Sequence, residues 1–80
     1  MSTMPLLKNF RTNLAAACNL AEISQRELSR RSGVHYVTIC RILSGSLDPS
    51  VAICERLARA AGMRADLAFL EPEKNLVDSR

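Results

Sequence analysis

Leu7, Phe10, Leu14 and Ala17 recur along the chain at steps of three and four, with Lys8, Arg11, Thr12 and Asn13 between them. An apolar stripe of that period predicts an amphipathic helix over about residues 5–19, and Pro5 suits its first turn, where a missing N–H costs nothing. The pattern breaks from Asn19 to Ile23. In Ser24-Gln25-Arg26-Glu27 a Ser stands three residues before a Glu, so its hydroxyl can accept from the Glu amide while the carboxylate reaches back. This starts a second, short helix. Leu28 is its buried anchor, Ser29 is small enough for close helix approach, and Ser32-Gly33 stops it, because Gly accepts the left-handed backbone of a tight turn.

The period resumes almost at once, with Val34, Val37 or Thr38, Ile39 and Ile42 or Leu43 inward and His35, Tyr36 and Arg41 outward. This third helix closes at Ser44-Gly45. In the following loop Asp48 or Ser50 can cap a fourth helix, over about residues 50–61, whose stripe is Ile53, Cys54, Leu57, Ala58 and Ala61 with Gly62 behind it. The tail reads two ways. Met63, Leu67 and Leu70 suit a helix, while Ala65, Leu67 and Phe69 alternate with Arg64, Asp66 and Ala68 as a strand does, and the strand is favoured. Pro72 ends either element, and Glu71 to Arg80 is polar enough for a frayed, exposed end.

Composition narrows the class. At 80 residues, 48% hydrophobic and 24% charged, there is room for one small domain and no second. Such a chain buries only about 60–65% of its unfolded surface, too little to wall an extended active-site cleft without a partner subunit. No apolar run approaches the roughly 18 residues of a membrane span, and Leu14 to Cys18 is too short for the core of a signal peptide. Cys18, Cys40 and Cys54 are odd in number and lack close pairs, which points to a reducing cytoplasm rather than to disulfides; with His35 they lack zinc-site spacing. One His, no paired acids in a shared pocket and no phosphate-cradling Gly loop argue against an enzyme, and neither metal nor cofactor is expected.

The net charge of +3 is unevenly placed: residues 1–62 hold eight basic side chains against four acidic, residues 63–80 three against four. Arg dominates, and its planar fork suits phosphates and base edges. Two short helices joined by a Gly-containing turn of three or four residues form a helix-turn-helix, here from Ser24 to Ser44. Such a pair sets its second helix in the DNA major groove and its first across the backbone. Ile23-Ser24-Gln25-Arg26-Glu27-Leu28-Ser29, followed in register by Gly33-Val34, Thr38-Ile39, Arg41-Ile42 and Gly45, resembles the phage repressor and Cro type, the Xre-like helix-turn-helix family, over about residues 6–62.

The resemblance implies that Ser24 and Gln25 hold a phosphate and that His35, Tyr36, Val37, Cys40 and Arg41 face the groove, with Thr38 at the margin. Arg41 is the leading base reader, through guanine O6 and N7; Val37 suits a thymine methyl, and Tyr36 a base edge or a phosphate. Ser44, Arg30 and Arg31 are backbone candidates. Plainer roles compete: Arg30 and Arg31 as a solvated face, His35 as a helix cap, Tyr36 folded onto the surface, Cys40 an inert thiol. Where many relatives pair an Arg of the first helix with a Glu of the third, this chain has Cys18 and Leu43, which predicts an apolar contact instead.

The expected architecture is mainly α, a four- to five-helix repressor-like helix-turn-helix domain over residues 5–62, with 63–80 as dimerisation segment and polar tail. The tail is similar to that of DNA-binding antitoxins of kinase-type toxin–antitoxin modules, in which one strand pairs with its twin. A lone strand leaves both edges unpaired, so Ala65, Leu67 and Phe69 on it imply a homodimer and a palindromic operator. The leading expectation is a sequence-specific DNA-binding transcriptional repressor of its own operon. The alternative is an antitoxin-like module that neutralises a partner protein, with operator binding secondary.

Overall fold

The computed structural model describes residues 4–70. Four helices follow one another: α1 Met4–Ala21, α2 Gln25–Ser32, α3 Tyr36–Ser44 and α4 Val51–Ala60, then a single 3-10 turn at Ala65–Leu67. Mainly α and repressor-like, this is the expected architecture, and the helix bounds lie within two residues of the predicted ones. Among the described residues there is no strand. No helix among them is long and apolar enough to cross a membrane.

Each helix buries the stripe that its sequence period marks. Phe10 and Leu14 of α1, Leu28 of α2, Ile39 and Ile42 of α3, and Cys54 and Leu57 of α4 are fully enclosed in one core, which Ile23, Val34, Ala58, Ala61 and Ala68 complete. Of the open alternatives on α3, Ile42 is the buried one and Val37 stays 45% exposed, so the helix turns its Val37 side outward. Cys18 and Leu43 are both half-buried and each packs against this core.

α1 ends with Glu22 in the left-handed conformation at φ 57°, and the Ile23 amide reaches back to the Cys18 carbonyl at 2.8 Å. That is a Schellman stop with Glu in the place usually taken by Gly. The α2–α3 turn is held by Gly33 at φ 77°, whose amide donates to the Ser29 carbonyl at 2.9 Å. Ser29 does more than stay small. Its hydroxyl donates to the Val34 carbonyl at 2.6 Å, and Ser32 Oγ accepts from the Val34 amide at 3.1 Å.

Two residues expected on the outer face of α1 turn inward. Arg11 Nε donates to the Ile42 carbonyl at 2.6 Å, while its Nη2 reaches the Leu47 carbonyl at 3.2 Å and Asp48 Oδ1 at 2.8 Å. One side chain thus ties α1 to the carbonyl end of α3. Asn13 Nδ2 donates to the carbonyls of Ala68 at 2.8 Å and Leu70 at 2.7 Å, and Asn9 Nδ2 donates to that of Phe69 at 3.3 Å.

Those amides explain the tail. Instead of running out as an extended strand, residues 65–70 turn back on α1, Ala68 is buried, and the Phe69 ring stacks on Phe10 with centroids 5.4 Å apart. The alternation of Ala65, Leu67 and Phe69 therefore appears in the single chain as a 3-10 turn, because two Asn side chains take the carbonyls that a strand would offer a neighbour. Pairing across a dimer is a property of two chains. The Pro72 stop and the polar end lie outside the described residues.

Candidate nucleic-acid interface

Ser24 caps α2 as its sequence position predicts, with Oγ accepting from the Glu27 amide at 3.1 Å. The other half of the expected box is replaced. The Glu27 carboxylate does not reach back but meets Arg30 Nη2 at 2.8 Å and Arg31 Nε at 2.9 Å, one turn on. Hydrogen bonds from Arg31 and then Arg30 hold its pKa below the usual glutamate value. Both arginines share this one carboxylate, so the solvated-face reading describes their resting state and their charge toward a phosphate is partly neutralised.

His35 caps α3: its Nδ1 accepts from the Val37 amide at 3.2 Å, which requires the neutral ring. Its exposed side chain stands at the end of α3 that enters a groove in helix-turn-helix complexes. Beyond it, the residues of α3 fall on two sides. Tyr36 and Cys40, one turn apart, lean toward α2: the Arg26 guanidinium lies 4.6 Å from the Tyr36 ring centre, and Cys40 Sγ donates to Gln25 Oε1 at 3.0 Å. Val37, Arg41 and Ser44 line the open side, all exposed, with Thr38 half-buried between.

Among the described residues Arg41 and Arg26 pair with no carboxylate, which leaves both charges available to DNA. Ser44 Oγ donates to the Arg41 carbonyl at 3.0 Å and lies 3.1 Å from Ser46 Oγ, so it finishes the helix as well as facing outward. Gly45, at φ 90°, then turns the chain away. The helix-turn-helix thus brings together Gln25, Tyr36, Val37, Cys40 and Arg41, while Arg30 and Arg31 sit at the far end of α2.

Of the three residues expected to dimerise, Leu67 is 48% exposed, Phe69 is half-buried against Phe10, and Ala65 opens the 3-10 turn. Among the described residues no group of three or more metal-ligating side chains is gathered. Burial pushes the Cys18 and Cys54 thiols up, so neither is an activated thiolate.

A family model described as helix-turn-helix matches residues 14–67, more than half of the chain. The chain belongs to the helix-turn-helix family of the Xre and Cro type. Its members are DNA-binding transcription regulators. Nothing matches among the curated proteins or the solved structures. In this helix-turn-helix chain the family match extends through the 3-10 turn to Leu67.

Sequence reasoning passed over Arg26 as a site residue. Its signal was present: an Arg at the second position of α2, the helix laid against the start of α3, where the chain's one Tyr stands. Arg11 was hidden in the same way, and Asp48, the lone acid of the following loop, was the hint.

Proposed function

We propose that this chain is a homodimeric repressor that reads a palindromic operator through the major groove, with its own operon as target. The observation that carries the reading is the open side of α3, where Arg41 stands free of any described carboxylate next to exposed Val37. A fork of that kind fits guanine O6 and N7, and the Val37 methyls fit a thymine methyl. Tyr36 and Cys40 contact bases at the α2 side of the groove. Ser24, Gln25, His35, Thr38 and Ser44 contact the sugar–phosphate backbone, with Arg30 and Arg31 joining them when phosphate competes with Glu27.

A homodimer is supported by the apolar surface beside the tail, where Leu6, Val51, Leu67 and Leu70 are each about half exposed or more.

Selection from random duplex DNA tests the proposal. It should enrich a palindrome with half-sites one helical turn apart. Enrichment of no sequence would overturn it, and enrichment of a single asymmetric half-site would remove the dimer.

A further inference from the structure

Consecutive residues of α2 hold residues one turn apart on α3. Gln25 accepts from Cys40, and Arg26 lies over Tyr36. Two side-chain contacts across one seam restrict what α3 presents on that side. Tyr36 is the first residue of α3, and the N-terminal residues of a recognition helix are those that meet base edges. A Tyr at a helix start would otherwise sample several rotamers. A guanidinium on its ring face is drawn to the negative π-cloud and stacks in plane, which selects one ring orientation. The Arg26 side chain is exposed and the Tyr36 side chain half-buried, so Arg26 supplies part of that cover.

We propose that Arg26 is a positioning residue for base readout. It fixes the Tyr36 ring so that its hydroxyl meets one base edge at the start of each half-site, and preference at that base pair depends on Arg26 although Arg26 does not touch the base. The inference rests on α3 being the recognition helix. It separates Arg26 from Arg30 and Arg31, whose partner is Glu27. Two simpler roles for Arg26, a phosphate cation and a staple of the fold, leave different signatures.

The experiment measures binding of the intact chain to its selected operator, to operators changed at each base pair, and to random duplex. Wild type, Arg26→Met, Arg26→Lys, Tyr36→Phe, Tyr36→Leu and the double variant Arg26→Met/Tyr36→Leu are compared, with a thermal melt of each. Arg26→Met should flatten preference at the same base pair as Tyr36→Leu. Its effect should shrink about two- to fivefold when Tyr36→Leu is already present, the strength of an exposed cation–aromatic contact. Tyr36→Phe, which keeps the ring but removes the hydroxyl, should lose the preference at that base pair as Tyr36→Leu does, and Arg26→Lys should restore part of the preference. Equal loss on operator and random duplex, undiminished beside Tyr36→Leu and with the salt slope lowered by about one, would overturn the proposal in favour of a phosphate cation. A lowered melt with unchanged base preference would overturn it in favour of a fold staple. If wild type selects no sequence at all, the recognition-helix reading itself fails, a result distinct from either.

Discussion

Replacing Arg11 by Met keeps the aliphatic stem and removes only the guanidinium, so it isolates the polar tie between α1 and the end of α3. The side chain is 19% exposed, and three acceptors converge on it: the Ile42 carbonyl at 2.6 Å, the Leu47 carbonyl at 3.2 Å and Asp48 at 2.8 Å. Hydrogen bonds from a charged donor contribute about 1.5–3 kcal/mol where partly shielded, whereas the Asp48 end is an exposed ion pair that contributes less than about 1 kcal/mol. The Asp48 side chain is 71% exposed, which places it in the second category. Arg11→Met should therefore cost about 2 kcal/mol, and Asp48→Asn about 0.5 kcal/mol. In a domain of this size 2 kcal/mol lowers the melting temperature by about 8–16 °C. Urea unfolding followed by circular dichroism reads both. Equal costs for the two substitutions would show that the ion pair rather than the carbonyl contacts does the holding, and a loss below about 0.5 kcal/mol for Arg11→Met would refute the tie altogether.

Gly33→Ala should destabilise by about 1–2 kcal/mol through backbone strain alone, because an added Cβ meets nothing within 4 Å while φ is 77°; a neutral result in the same unfolding assay would show that the turn relaxes. The Arg-paired Glu27 has a lowered pKa when folded, so its stabilisation is complete above the unfolded glutamate value and is lost as pH falls through the lower folded one. The stability gap between wild type and Glu27→Gln should accordingly close on acidification below about pH 4, and a gap independent of pH would contradict the pairing. The same substitution frees Arg30 and Arg31, so affinity for random duplex should rise and its salt slope should steepen; an unchanged slope would leave the two arginines as bystanders. Leu67→Asp should leave the monomer's melt nearly unchanged yet shift sedimentation from dimer to monomer, whereas Phe69→Asp should damage the fold itself, since its ring stacks on Phe10. A dimer that survives Leu67→Asp takes Leu67 out of the interface.

The four helices were readable because local signals agreed with one another. Ser24 and Ser50 do cap, Gly33 and Gly45 do take positive φ, and the stripe residues Phe10, Leu14, Ile39, Ile42 and Leu57 do meet in one core. What was not readable depended on distant partners. Arg11 and Asn13 have the periodicity of outward residues, and only the arrival of Leu47, Asp48 and Ala68, more than 30 positions away, turns them inward. The tail shows the same limit. Its alternation is compatible with a strand, but Phe10 and two Asn amides on α1 compete for it and win within the single chain. Glu27 had a choice between its own cap and two arginines within one turn, and the charged pairing prevails. At the interface, the outward place of Arg41 follows from helix phase and that of Val37, which the period left open, from the family resemblance, while the contacts Arg26–Tyr36 and Gln25–Cys40 depend on how closely α2 approaches α3, a distance no single-helix pattern contains.

The central claim is that the open side of α3 reads bases through Arg41. Its most direct test compares wild type and Arg41→Ala on the selected operator, on operators changed one base pair at a time, and on random duplex. The account predicts a loss of about 1–3 kcal/mol on the operator, with preference relaxed at one base pair per half-site and random-duplex affinity lowered far less. Equal loss on operator and random DNA, with base preferences intact, would make Arg41 a backbone contact and contradict the claim.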